Sequence, residues 1–269
     1  MSVRKRVRRL CQRLVGPGQP PVHRVRITRA QEIPPLLNWA ENKTILRLEL
    51  ATELLTMQGA FTYAGGWHPF VAALRYGAEA LRWFYATHAP ATLGESYFLD
   101  VQTTGSDLPP WELPWLFRLE RNPPPGEAGL AAEHGVSFYG PATADKVRVE
   151  AARLSETARS VQQNGYLPDR FGDIQGCFFR RGEDFRFFVR GGKHRAAVLA
   201  FLGYTHIPVT FKPAWPRCVD GSDARDWPLV RSGAASPELA RMVFDRYFDF
   251  NGVQQRDRLV RSTPPTTPI

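Results

Sequence analysis

Cysteine and long apolar runs are both scarce in this chain of 269 residues. Cys11, Cys177 and Cys218 lie far apart. Their spacing suits neither a zinc site nor an even-numbered disulfide framework, so a reducing, cytoplasmic setting is expected. The longest clean apolar stretch, Ala196 to Leu202, falls well short of the roughly 18 to 20 residues that cross a bilayer. No apolar core follows the N-terminal charges, which argues against a secretory signal. Acidic residues are missing from the first 31 positions, where Arg4, Lys5, Arg6, Arg8, Arg9, Arg13, Arg24, Arg26 and Arg29 fall. Those nine account for the whole net charge of +9, since the remaining 26 Lys and Arg match the 26 Asp and Glu. A neutral, enzyme-like body with a basic leader follows, and a globally basic nucleic-acid-binding domain does not.

Proline is abundant, with 23 residues, twelve of them in clusters around 17–21, 109–125 and 264–268. Because proline lacks an amide donor and restricts the residue before it, these clusters mark boundaries. They divide the chain into a basic arm over 1–31, a mainly helical domain over 32–120 and a Pro/Gly-rich connector over 121–140. An α+β domain over 141–215, an extension over 216–255 with a helix near 237–250, and a disordered tail over 256–269 complete the reading. The segment from Leu108 to Gly126 reads as part of an extended connector, with a lid as the alternative.

In the arm, Val3, Val7, Leu10 and Leu14 fall at helical spacing among arginines. Three readings fit: a helix over residues 1–16 lying on an anionic membrane surface, a solvated arm, or an organelle-targeting presequence. The first would place the protein peripherally on the inner membrane face. Farther on, Leu46, Leu50, Leu54 and Leu55 suggest one helical face, and Phe70, Val71, Leu74, Ala78, Leu81 and Phe84 suggest another, with Pro69 at its first turn.

Periodicity sharpens from residue 141. Val147, Ala151, Leu154, Ala158 and Val161 step by three and four, which predicts a helix ended by Gly165. Ile174 to Phe179 and Phe185 to Val189 predict a hairpin. A Gly191-Gly192 turn, a helix from about His194 to Leu202 stopped by Gly203, and a strand from Ile207 to Phe211 complete an α+β fold.

The turn carries the chemistry. Two glycines between a strand and a helix allow close backbone approach, and the first helical amides, with the positive end of the helix dipole, suit a phosphate. Lys193, His194 and Arg195 add three donors directly after Gly191 and Gly192. His134 and His206 lie in no metal or nucleophile spacing, and Cys177, inside an apolar run, reads as a buried thiol.

With GGKHR followed by AAVLAFLGY and IPV, and NGY-x-P at Asn164 to Pro168, the stretch from about Lys146 to Phe211 resembles the ParB/sulfiredoxin superfamily. The resemblance implies a small ParB/sulfiredoxin-like α+β domain that binds nucleotide phosphates at Gly191, Gly192, Lys193, His194 and Arg195. ATP or CTP with Mg2+ would be the cofactor. Sulfiredoxins carry a cysteine where this chain has Lys193, which removes the sulfinic-acid reductase reaction. The helix-turn-helix and E-N-x-x-R box of the partition proteins are missing after Phe211.

A phosphotransferase acting on a small hydroxylated acceptor is therefore the favoured expectation. Glu150, Asp173 and Asp184 are the candidate catalytic carboxylates, and no metal ligands are assigned. A non-enzymatic nucleotide-sensing or interaction module, and a ParB-like nuclease or DNA-binding protein, are the alternatives, with nucleic acid the less favoured partner.

Overall fold

The computed structural model describes residues 21–38, 45–65, 67–100, 108–116 and 129–254, together with 257 and 261. The arm helix proposed over 1–16, Cys11 and most of the C-terminal tail lie outside these residues. So does the stretch 117–128 of the proposed connector.

In chain order the elements are β1 (Val22–Arg26), α1 (Ile33–Leu37), β2 (Ile45–Ala51), β3 (Leu55–Met57), β4 (Phe61–Thr62), α2 (Pro69–Tyr76), α3 (Ala78–Thr87) and α4 (Leu93–Ser96). There follow α5 (Ala144–Asn164), α6 (Pro168–Phe171), β5 (Ile174–Arg181), β6 (Asp184–Gly191), α7 (Lys193–Phe201), β7 (His206–Phe211), β8 (Cys218–Asp220), α8 (Pro228–Arg231) and α9 (Pro237–Asp249). The strands form one mixed sheet in the order β1-β2-β7-β5-β6-β3-β4, with β8 joining β5 beside the end of β7. The protein is thus of mixed helix and strand.

Strands β5 and β6 form the expected antiparallel hairpin, with Gln175 opposite Gly191 and Arg181 opposite Asp184. Both are buried on both faces. Phe178, Phe187 and Val189 enter one core with the helices α2, α3, α5 and α7, whereas Cys177, Phe179 and Phe188 enter a second core with α9. That two-sided burial explains the near-continuous aromatic runs. Gly176 is required in the pair, because a Cβ there would lie 2.0 Å from the Phe188 carbonyl oxygen.

Several expectations change. Leu46 and Leu50 lie on β2 and Leu55 on β3, so no helix spans Leu46 to Leu55, and the described part of 32–120 contains three strands beside its helices. Leu46, Leu48 and Leu50 alternate along β2, a period of two that a pattern of fours concealed. The helix read through Phe70 and Phe84 is two helices, α2 and α3, separated at Gly77 with φ of 83°. The end of the basic arm is the edge strand β1, paired parallel with β2. Leu108, Leu113 and Trp115, read as connector, are buried, and all three join the second core.

Other expectations stand. Pro69 occupies the first turn of α2, Gly165 ends α5 with φ of 72°, Gly203 follows α7 with φ of 83°, and α9 covers the C-terminal helix. Cys177 is buried and its thiol is pushed up by that burial. No helix among the described residues is long and apolar enough to cross a membrane.

Candidate functional site

The hairpin delivers its last residue, Gly191, to a turn whose next residue, Gly192, adopts φ 76° and ψ 27° and starts α7. Glycine is needed there on two counts. The left-handed conformation costs other residues about 1 to 2 kcal/mol, and a Cβ would lie 3.1 Å from Ile174 Cα. No side chain caps α7, so its first amides keep the phosphate-binding potential of an open helix start.

His194, in the first turn, stacks on Phe70 with ring centroids 4.6 Å apart. Its Nε2 lies 3.7 Å from Glu150 Oε1 on α5. The Glu150 side chain is 0% exposed, and its other oxygen accepts a hydrogen bond from the Tyr85 hydroxyl. Neither Glu150 Oε1 nor His194 Nε2 has a hydrogen-bond partner. A shift of a few tenths of an ångström would join them, which is the relation of a base to the group that orients it. One turn earlier on α5, buried Lys146 donates from Nζ to the Ser137 carbonyl at 2.9 Å and lies 4.4 Å from the Tyr85 ring. His68 caps α2 by accepting from the Phe70 amide, and burial, then the charges of His194 and Lys193, hold its imidazole well below the usual value.

Lys193 is half-buried with its ammonium 4.0 Å from the Phe138 ring. Burial lowers its pKa well below the ordinary lysine value, and nearby Arg190 and Lys212 push the same way, against Glu150.

Arg195 does not have the free guanidinium that a phosphate grip requires. It donates to the carbonyls of Phe171 and Gly172, and to that of Asp173 at 3.3 Å, tying the end of α6 to α7. Beside it opens a pocket of about 260 Å³, lined by Ser160, Val161, Tyr166, Leu167, Phe171 and Arg195 among others.

Of the three candidate carboxylates, the fold brings Glu150 to the turn. Asp173 is close in sequence to β5 but is held by buried Arg47, with Nε to Oδ1 at 2.6 Å, and Asp169 takes the same guanidinium at 2.7 Å. Asp184 lies at the opposite end of the hairpin, exposed, and is no part of the site.

No family model matches the chain, and no curated protein is similar to it. Function is therefore argued from this geometry. Sequence reasoning missed Tyr85, Lys146, His68 and Phe70. A signal existed for Lys146 and Glu150: they flank Val147 on the buried stripe of α5, where a charge needs a partner. Tyr85 and Phe70 looked like ordinary core positions, and only the packing of α2 and α3 against α7 and α5 shows otherwise.

Proposed function

We propose that the chain binds a nucleotide, ATP or CTP, with its phosphates at the start of α7 and its base in the pocket beside Arg195. The reaction is phosphoryl transfer to a small hydroxylated acceptor. The carrying observation is the buried Glu150 carboxylate facing His194 at the first turn of a glycine-led, uncapped helix. The open amides favour phosphate, and the apolar and hydroxyl-bearing lining of the pocket suits a base and ribose.

In this reading His194 directs Nε2–H at Glu150 and accepts the proton of the acceptor hydroxyl on Nδ1 as the new O–P bond forms and the bond to the departing nucleoside diphosphate breaks. Glu150 then stabilises the imidazolium, and Tyr85 holds the carboxylate in place. Lys193 keeps the donor role expected of it beside the transferred group, while Arg195 is tied to the carbonyls of Phe171 and Gly172. Mg2+ would arrive on the nucleotide phosphates and neutralise part of their charge; among the described residues no three His, Cys, Asp or Glu side chains converge on a metal position.

Calorimetry with ATP and CTP, with and without magnesium, followed by mass spectrometry of a metabolite pool incubated with the nucleotide, tests this. A phosphorylated product is expected, with His194→Ala lowering turnover about 100- to 10,000-fold and nucleotide affinity changing far less. Binding without any acceptor product would turn the reading to a nucleotide-sensing module, and cleavage of nucleic acid would turn it to a nuclease. Absence of nucleotide binding would overturn it.

A further inference from the structure

The recess of about 260 Å³ beside Arg195 is walled by α5 and by the turn and short helix α6 that follow it. From α5 come Glu156 and Ser160, four residues apart and so neighbours on one helical face. From the second wall come Leu167 and Phe171, two of the four large apolar side chains left exposed among the described residues, at 38% and 51%. Arg195 donates to the Phe171 carbonyl and so fixes the position of that residue. The Arg170 guanidinium lies 5.1 Å from the centre of the Phe171 ring, yet Arg170 does not line the recess. The ring is therefore backed by a cation on its outer side and open on the side of the recess, which makes it a stacking platform for a flat π-system.

Beside that platform the free polar groups are few. The Thr157 hydroxyl donates to the Arg153 carbonyl at 2.7 Å, within its own helix. The side chains of Glu156 and Ser160 form no hydrogen bond or ion pair among the described residues; only the Ser160 carbonyl is engaged, by Asn164. A carboxylate only accepts, whereas a hydroxyl donates as well. The pair thus offers a stacked ring an anionic acceptor next to a donor. In adenine and cytosine an amino group stands beside an unprotonated ring nitrogen, which matches that order. In hypoxanthine and uracil the order is reversed, with an oxo group beside a ring N–H.

We propose that the recess reads the exocyclic group of the base, taking an amino-bearing ring, adenine or cytosine, and rejecting its oxo counterpart. Phe171 stacks on the ring, Glu156 accepts from the amino group and Ser160 donates to the adjoining nitrogen. This rests on the nucleotide reading above and names the residues that set its base specificity. An oxo group turned toward Glu156 would set two acceptors against each other, so the wrong base meets a repulsion as well as a missing hydrogen bond.

The test titrates the full chain, at one magnesium concentration, with the triphosphates of adenosine, inosine, cytidine and uridine. ATP is expected to bind more tightly than ITP, and CTP more tightly than UTP, each by about tenfold or more, the worth of a hydrogen bond to a charged group. Glu156→Gln keeps the size of an exposed side chain but can turn either an oxygen or an N–H to the base. It is expected to fold with an unchanged thermal midpoint and to bring both ratios within about threefold of unity. Phe171→Ala, which retains the carbonyl held by Arg195, is expected to weaken all four nucleotides alike, by about fivefold or more, through loss of stacking. Wild-type ratios near one would overturn the proposal, as would discrimination that survives Glu156→Gln or affinities untouched by Phe171→Ala. Equal binding of all four nucleotides removes this inference alone, whereas binding of none removes the nucleotide reading and the inference with it.

Discussion

At the scale of the residue, the energetics turn on which buried polar groups have partners. A buried carboxylate left alone costs several kcal/mol, so Glu150 acquires meaning only together with Tyr85 and His194. His88 shows the opposite solution. It is 6% exposed, stacks on Phe98 with centroids 4.5 Å apart, leaves Nε2 unpartnered, and is held by burial at a pKa of about 4 in place of 6.5. The native state therefore keeps the ring neutral while the unfolded chain takes up a proton below pH 6.5. Stability from His88 is fully present above that pH and falls as the pH drops toward 4, by roughly 3 kcal/mol over the window. Buried His68 acts in the same direction. Chemical denaturation of wild type and His88→Phe at pH 7, 5.5 and 4.5 checks this. The variant, which preserves the stack on Phe98, is expected to lose less stability on acidification, and parallel curves would contradict the assignment.

At the scale of the element, Arg195 shows how a turn and helix start can be legible while the destination of a side chain in it is not. GGKHR pointed to a turn and a helix start, and both are where the sequence placed them. The side chains after the glycines looked like three equivalent donors. The destination of Arg195 depends on the end of α6, a contact across 24 positions with Phe171 that no local pattern encodes. Arg195→Ala is accordingly expected to lower stability by about 1.5 to 3 kcal/mol, the range for hydrogen bonds to a charged group. The thermal midpoint should fall clearly, with a smaller effect on nucleotide affinity. An unaltered midpoint with lost nucleotide binding would restore it as a phosphate ligand. Strand β2 was lost for a related reason: Arg47, at 2% exposure, interrupts an apolar run because Asp169 and Asp173, far along the chain, neutralise it.

At the scale of the whole molecule, the expectation of a helical half followed by an α+β half reflected proline clusters read as boundaries. The longer elements from 141 onward were legible because their periodicity is local, whereas the short α6, β8 and α8 were not read. The strands before residue 63 were not, since β2 is completed by β7 and β3 by β6. The proline-rich segment at 108–116 supplies Trp115, which packs on Phe179, Trp227 and Phe244. Proline there fixes a path through a core. A fragment of residues 141–269 would expose the edges of β6 and β7 and lose half of the first core. It is therefore expected to aggregate or remain unfolded. Circular dichroism and gel filtration of that fragment decide the point, and a monomeric, cooperatively melting fragment would show that the resembling region is an independent domain.

The central claim, that nucleotide phosphates meet the backbone at the start of α7, is tested most directly by amide-resolved NMR. The isotope-labelled chain is titrated with ATP and magnesium and the shifts are assigned residue by residue. The account predicts that the amides of Gly192, Lys193 and His194 move most and move downfield, with smaller changes along Val161 to Leu167 in the pocket at Arg195. Saturable binding that moves other amides while those three stay fixed would contradict it.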